Sequence, residues 1–299
     1  AAPVVLARTE VGVRCLSNVC THRANLIVDA PGCSQALRCR YHGRRFGLDG
    51  RFVSMPEFST AANFPGPGDD LPVVPTGELG PLVFASLEPS IPFDQLVAPV
   101  RARTAFLPWE RLVYAGARDY DIAAHWALYL ENYLEGFHIP FVHAGLNQVI
   151  EYGDYRTETF DHGNVQIGIA SGDPSAAFTL PRDHPDAGQR IAAWYFWLFP
   201  TTMINVYPWG LSMNAIIPLA PDRTRVRFAT WIWDPAQRDR GAGADLHTVE
   251  LEDEAVVENV QRGIRSPLYQ RGRYSPTREI GVHHFHQLAV ATLGSGRGV

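Results

Sequence analysis

The sequence predicts a two-domain protein of the α+β class, a small all-β domain followed by a larger domain that mixes strands with helices. Three observations lead there. The chain has 299 residues, enough for about two domains, because single cores stop growing near about 250–300 residues. Its first 60 residues hold only short apolar stretches broken by glycine and turn residues. Its later part sets two stretches of helical periodicity among strand-like runs.

Taken in order, VVLARTEVGVRCL, NLIVDAPG and FGLDGRFV read as strands and hairpins, with LDG at 48–50 a turn. Residues 61–99 carry eight prolines, which rules out helix there. PLVFASLEP at 81–89 reads as the last strand of the first domain, and the boundary is expected near 105, giving domains 1–105 and 106–299. RLVYAGARDYDI at 111–122 reads as a strand and AAHWALYLENYLEGFH as a helix. The run WYFWLFP at 194–200 is apolar at both parities, so that strand should be covered on both faces. A second helix is expected over 245–265.

Composition excludes several classes. Hydrophobic residues make up 46% and charged residues 19%, with a net charge of −5, an ordinary globular balance with no basic excess for nucleic acid or an anionic membrane. No apolar run approaches the roughly 20 residues of a membrane span. The N-terminal AAPVVLARTE lacks a basic and an apolar signal region, so a cytoplasmic chain is expected. The four cysteines, Cys15, Cys20, Cys33 and Cys39, all fall in the first forty residues. Clustering of that kind favours metal chemistry or a reducing compartment over disulfide staples.

The first chemical constellation is Cys20, His22, Cys39 and His42, written C-x-H in NVCTHRAN and C-x-x-H in RCRYHGRRF. Two thiolates and two imidazoles can hold tetrahedral zinc. A zinc finger, however, groups its cysteines in one knuckle and its histidines in another, whereas each loop here offers one of each. That arrangement suits a two-iron cluster with both thiolates on one iron and both imidazoles on the other. Here the chain resembles the Rieske domain of ring-hydroxylating and amine-hydroxylating oxygenases, through the split pairs, YHG and the following FGLDG. Respiratory Rieske proteins carry an extra cysteine in each loop, where this chain has Asn25 and Tyr41. Arg44 stands where many relatives have Trp. Cys15 and Cys33 are expected to be small buried residues.

The second constellation lies in LENYLEGFHIPFVH. Glu135 and His138, three apart, share a helix face, with Asn132 one turn earlier. His143 would point about 140° away on a continuous helix, but Pro140 should end or kink the helix near Ile139 and let His143 fold back. The late helix supplies a carboxylate. Its apolar seam is read as Leu246, Val249, Val256, Val260 and Ile264, with Asp253 in the gap. A carboxylate facing the core is costly without a cation. Glu252, Glu254 and Glu258 lie off that seam and read as solvated. His138, His143 and Asp253 are thus a candidate two-histidine, one-carboxylate triad for ferrous iron.

The stretch EN-x-x-E-x-x-H-x4-H resembles the signature of Rieske oxygenase α-subunits, and Glu135, where most relatives have Asp, resembles the carnitine-, choline- and betaine-oxidising subgroup. The resemblance covers about residues 10–290 and includes Gln261 and QRGIRSPLY. It implies an antiparallel-sheet-plus-helices, helix-grip-like catalytic domain with mononuclear Fe(II). It also implies Glu135 as the bridge between a Rieske [2Fe-2S] cluster and the iron of a neighbouring subunit, hence a homotrimer. Electrons would come from NAD(P)H through a separate flavin and iron–sulfur reductase. The substrate would be a small molecule oxidised with O2, a quaternary ammonium compound first and an aromatic ring or an O/N-methyl group second. A Rieske electron carrier and a structural zinc protein are the readings of other classes. Relatives have some tens of residues before the first loop, against fourteen before Cys15 here, so a shortened or unusual N-terminal edge is expected.

Three further features are weighed down. HHFH at 283–286 is read as part of a C-terminal helix. The aromatics Trp194, Tyr195, Trp197, Phe199, Tyr207 and Trp209 could cage an ammonium group, although most should be strand core. His125 is expected to be buried and satisfied.

Overall fold

The computed structural model describes residues 2–294. The chain divides into two compact units, the first ending at Gln95 and the second beginning at Leu96.

The first unit is built from short antiparallel ladders. Strands β1 (Val4–Thr9) and β2 (Gly12–Ser17) form a hairpin. Strands β3 (Leu37–Arg38), β4 (Arg45–Phe46) and β5 (Phe52–Ser54) form a three-stranded sheet. Strand β6 (Val73–Val74) joins β2, while β7 (Thr76–Leu79) and β8 (Leu82–Ala85) pair with each other. Leu16, Cys20, Ile27, Leu37, Cys39 and Phe46 pack into one core. NLIVDAPG is not a strand: it contributes one isolated bridge, Val19 to Leu26, because its backbone groups close the loop that carries Cys20. Cys15 is buried as expected, but Cys33 is exposed, since it sits in an open, irregular segment after Pro31 and Gly32.

Helix α1 (Phe93–Thr104) contradicts the exclusion of helix from the proline-rich segment. Pro99 lies inside it and costs the hydrogen bond to the Gln95 carbonyl. Val97, Val100 and Thr104 are nevertheless buried along one face, and that burial outweighs one missing bond.

The second unit is a seven-stranded, wholly antiparallel sheet. Its strands are β9 (Val113–Ile122), β10 (Arg156–Phe160), β11 (Gly163–Ile169), β12 (Ile191–Leu198), β13 (Thr202–Tyr207), β14 (Gly210–Ala220) and β15 (Arg223–Ile232). They stand in the order β10-β11-β12-β13-β14-β15-β9. Helices α2 (Trp126–Tyr133), α3 (Ile139–Val142), α4 (Ala144–Val149), α5 (Leu246–Gly263) and α6 (Ile280–Gly294) complete the unit. Trp197, Met203, Ile216 and Val226 point from one sheet face into a core with Leu130, Leu134, Val257 and Phe285 from α2, α5 and α6. On the opposite face Trp194 meets Phe178 with ring centroids 4.5 Å apart. Strand β12 is therefore covered on both sides, as its sequence predicts.

Two helix readings need correction. The helix expected over 123–138 ends at Tyr133, so Glu135 is not helical, and Pro140 opens the new short helix α3 instead of ending the old one. Gly136 and the fixed φ of Pro140, suited to a first helical turn, favour that break. In α5 the buried stripe runs Glu250, Val257 and Gln261, while Val260 is 41% and Ile264 42% exposed. In its second half the buried stripe therefore lies one residue past the predicted seam. Asp253 still faces inward, because a step of four from Val249 and of four to Val257 keeps it on the stripe.

Among the described residues, no helix is long and apolar enough to cross a membrane.

Candidate functional site

Two constellations of metal-ligating type are assembled, one in each unit. In the first unit the loops bearing Cys20 and Cys39 close in the same way. The N–H of Ala24 donates to the Cys20 carbonyl at 3.0 Å and that of Gly43 to the Cys39 carbonyl at 3.0 Å. Ala24 and Gly43 both have positive φ, at 55° and 75°, which turns each loop back sharply. Backbone N–H groups of His22 and Arg23 face the Cys20 sulfur, and those of Tyr41 and His42 face the Cys39 sulfur. Asn25 Nδ2 lies 3.6 Å from Cys39 Sγ.

Both thiols are buried. Burial pushes the Cys20 thiol up, while the Cys39 thiol, despite burial, is held down by the amides of Tyr41 and His42, Cys20 and Asn25. The rings of His22 and His42 are edge-to-face at 4.8 Å. Burial, His42, Arg44 and Arg23 all press His22 toward the neutral imidazole that a metal needs. Sulfurs inside and imidazoles nearer the surface, with amides aimed at the sulfurs, fit a two-iron cluster. Arg44 is buried beneath the loop, 2.5 Å from Asp69 Oδ1 and stacked 4.8 Å from the Phe52 ring.

In the second unit His138, His143 and Asp253 each place one ligand atom within 4.8 Å of the others. His138 Nε2 and His143 Nε2 are 3.1 Å apart, and Asp253 Oδ1 lies 3.4 Å and 3.0 Å from them. The far nitrogen of each ring is held by a carboxylate. His138 Nδ1 meets Glu135 Oε1 at 2.6 Å and His143 Nδ1 meets Glu252 Oε2 at 2.7 Å. Each Nδ1 therefore carries the proton, and each Nε2 lone pair faces the centre. Glu135 Oε2 also accepts from the N–H groups of Phe137 and His138, so the loop reaches by a local turn what a helix would have reached by period. Burial alone would lower the His143 pKa, but Asp253 and Glu252 outweigh it and the net shift is upward.

The triad borders a cavity whose other walls come from the sheet face, α2 and the first half of α5. Register puts Gln166 opposite Tyr195, Tyr195 opposite Asn205, and Asn214 opposite Phe228. All of these line the cavity, with Tyr129, Tyr133, Tyr155 and Tyr207. Three of the tyrosines are locked: Tyr133 Oη donates to Asn205 Oδ1 at 2.6 Å, Tyr155 Oη to Gln166 Oε1 at 3.1 Å, and Tyr129 Oη to Glu250 Oε2 at 2.7 Å. Burial pushes all five phenols up, so they stay neutral. Asn132 lines the same cavity.

Glu252, read from sequence as solvated, instead holds His143, because the stripe through Val249 and Val256 passes Glu252 as readily as Asp253. Glu258 likewise accepts from the Ala123 N–H at 2.9 Å. Glu250 was missed altogether. It is buried, and its place one turn before Asp253 was the available signal. Of the six aromatics considered for a cage, Tyr195 and Tyr207 reach the cavity, while Trp194, Trp197 and Trp209 are core. His125 is half-buried, caps α2 and donates its N–H to Gln261 at 2.7 Å. In HHFH, His284 meets the Phe160 carbonyl at 2.9 Å and His286 meets Glu131 at 2.8 Å, so these histidines do not converge.

Residues 1–65 match the model of the Rieske [2Fe-2S] domain, and residues 109–295 that of the ring hydroxylating alpha subunit catalytic domain. The chain is 30% identical to the chloroplastic choline monooxygenase of Arabidopsis thaliana, over 95% of this chain and 70% of that protein. It is 28% identical to the carnitine monooxygenase oxygenase subunit of Escherichia coli K12, over 95% and 79%. It spans 63% of the length of the choline monooxygenase of Beta vulgaris. In fold it is similar to a quaternary ammonium Rieske monooxygenase, with a TM-score of 0.76 at 20% identity over 96% of this chain and 81% of that one. Naphthalene 1,2-dioxygenase from Rhodococcus sp. is similar too, with a TM-score of 0.75 at 18% identity over 99% and 84%.

Proposed function

Because the chain belongs to the ring-hydroxylating oxygenase α-subunit family, with a Rieske domain ahead of its catalytic domain, we propose that it is the oxygenase component of a quaternary ammonium monooxygenase. The observation that carries this reading is the cavity itself: a two-histidine, one-carboxylate triad beside an aromatic wall of five neutral tyrosines and Phe228. Such rings attract a desolvated ammonium group through their electron-rich faces. The relatives named for choline and carnitine oxidation support the same class. Aromatic ring hydroxylation and a pure electron carrier are not favoured.

In this reading Cys20 and Cys39 would hold one iron of the cluster, His22 and His42 the other, and His138, His143 and Asp253 would hold the mononuclear Fe(II). When bound there, the cluster would supply single electrons and the ferrous iron dioxygen activation, the chemistry a monooxygenation needs. The chain's own groups do the positioning. Glu135 and Glu252 fix the tautomer and angle of the two imidazoles, so both Nε2 atoms converge. The hydrogen-bonded tyrosines keep the substrate-side wall rigid and exclude water from the reacting carbon. Glu135, in contact with His138 and reaching the loop that precedes α3, is also the group proposed to face a neighbouring subunit's cluster. A homotrimer supplied from NAD(P)H by a separate reductase completes the scheme.

Iron and acid-labile sulfide per chain test the reading, on protein purified anaerobically and then offered ferrous iron. About three irons and two sulfides are expected in the wild type, and about two irons and two sulfides in Asp253→Ala with an unchanged visible spectrum. Oxygen uptake dependent on choline should vanish in the variant. A wild type that holds two irons after reloading, or zinc without sulfide, overturns it.

A further inference from the structure

The cavity contains a carboxyl group that neither the triad nor its supports use; burial pushes its pKa well above the ordinary carboxylate value, so it ionises at the gain of a nearby positive charge. Glu250 lies on α5, three residues before Asp253, and is 3% exposed. Its Oε2 accepts the Tyr129 hydroxyl at 2.7 Å. Its Oε1 is buried with no partner, and the side chain lines the cavity. Asn214, 2% exposed on the opposite wall, presents a second buried acceptor without a partner, Oδ1. A buried acceptor left unsatisfied is costly, more so when it belongs to a carboxyl group. Two in one cavity call for a ligand that brings donors or positive charge.

The lining points the same way by what it offers a substrate. Its acidic members besides Asp253 are Glu135, which is engaged by His138, and Glu250. Among the described residues that line it, none is Arg or Lys. Guanidinium groups of the unit are engaged elsewhere: Arg103 and Arg156 pair with Asp186 and Glu158, and Arg278 donates to the carbonyls of Tyr152 and Tyr155. A substrate carboxylate entering this cavity would meet neutral phenols, amides and the carboxyl of Glu250, with no Arg or Lys among the lining to compensate it. A trimethylammonium head would meet aromatic faces and the free Oε1.

We propose that Glu250 is the specificity-determining carboxylate of this site, pairing through Oε1 with the cationic head of a substrate that carries no anionic group, a choline-like alcohol in preference to a zwitterion such as carnitine or betaine. This rests on the quaternary ammonium reading above and deepens it. The ammonium head compensates the buried carboxyl, and the carboxyl in turn rejects neutral isosteres that fill the same aromatic space.

The test uses the iron-loaded, full-length protein and measures dissociation constants by calorimetry, under argon, for four probes. These are choline, its neutral carbon isostere 3,3-dimethyl-1-butanol, betaine and carnitine. Wild type should bind choline at least about 100-fold more tightly than the neutral isostere, the scale of breaking a buried charge pair. It should also prefer choline to both zwitterions. In Glu250→Gln the preference over the isostere should fall to about tenfold or less, the share left to the aromatic faces, with iron content and cluster spectrum unchanged. Should that variant lose its cluster, Glu250→Met, which fills similar volume without the carboxyl, takes its place. A variant that keeps the full preference overturns the role of Glu250 and leaves the ammonium reading standing. A wild type that prefers carnitine or betaine overturns the choice of a substrate without an anionic group. Binding of neutral aromatics and of none of the ammonium compounds would overturn both this inference and the function it rests on.

Discussion

Removing the carboxylate behind each histidine should weaken the mononuclear site in a definite order. Glu252→Ala takes away the acceptor 2.7 Å from His143 Nδ1. Glu135→Ala takes away the one 2.6 Å from His138 Nδ1 and, with it, the acceptor for two backbone amides. Supports of this kind are worth about 10–100-fold in metal affinity, or about 1.4–2.8 kcal/mol. Glu252 is 34% exposed, so water can replace it at Nδ1, and the expected loss is near the lower end, about tenfold. Glu135 is 13% exposed and also shapes the loop, so its loss should lie near the upper end, about 100-fold. The assay is an anaerobic Fe(II) titration against a competing chelator, on protein stripped of its mononuclear metal with the cluster retained. Working above neutral pH keeps imidazole protonation out of the comparison. Affinities within twofold of wild type for both variants would refute the argument that these carboxylates orient the ligands. A larger loss for Glu252→Ala than for Glu135→Ala would refute the ranking by exposure.

Three other outcomes follow from the geometry. Arg44→Met leaves Asp69 without its partner at 2.5 Å, and because Asp69 is 21% exposed the loss should sit near the low end of the usual range, about 3 kcal/mol; denaturant unfolding followed through the cluster absorbance reads it, and a loss under about 1 kcal/mol contradicts it. The Gly66 amide and Arg44 hold the Asp69 carboxyl below its ordinary value. Its contribution is therefore present above about pH 4 and is lost as the pH falls through the depressed value, and in Asp69→Asn an acid titration of the first unit should lose that part of its slope. In Gly136→Ala the added Cβ would meet the Tyr155 ring at 2.5 Å, and since Tyr155 is tied to Gln166 the ring cannot yield. A destabilisation of about 1–3 kcal/mol is expected in chemical denaturation, and an unchanged midpoint would show that the ring is free to move.

The chain's local chemistry was legible without coordinates. Cys20, His22, Cys39 and His42 are two short motifs in which thiol and imidazole lie two or three residues apart, so spacing alone announces the pairs. His138 and His143 flank the one short helix α3, and Asp253 betrays itself as a charge on an apolar stripe. The β-hairpin at 4–17, the double-sided strand β12 and the helix α5 all declare themselves by periodicity.

What the sequence could not decide depends on register and on chain reversal. Whether α5 turns Glu252 toward His143 depends on a rotation of a few tens of degrees, which periodicity does not resolve when the apolar stripe is interrupted by acids. Helix α1 forms despite Pro99 because one buried face outweighs one lost hydrogen bond, a balance set by the partners of Val97 and Val100. The cavity wall is the clearest case. Gln166, Tyr195, Asn205 and Phe228 come from four strands, and no window of sequence contains two of them at a telling interval. They meet because antiparallel pairing places alternate residues of successive strands in rows on one sheet face. Ligand spacing is a property of a few bonds and can be read along the chain, whereas the composition of a cavity is a property of the whole sheet's register and exists only once the strands have paired.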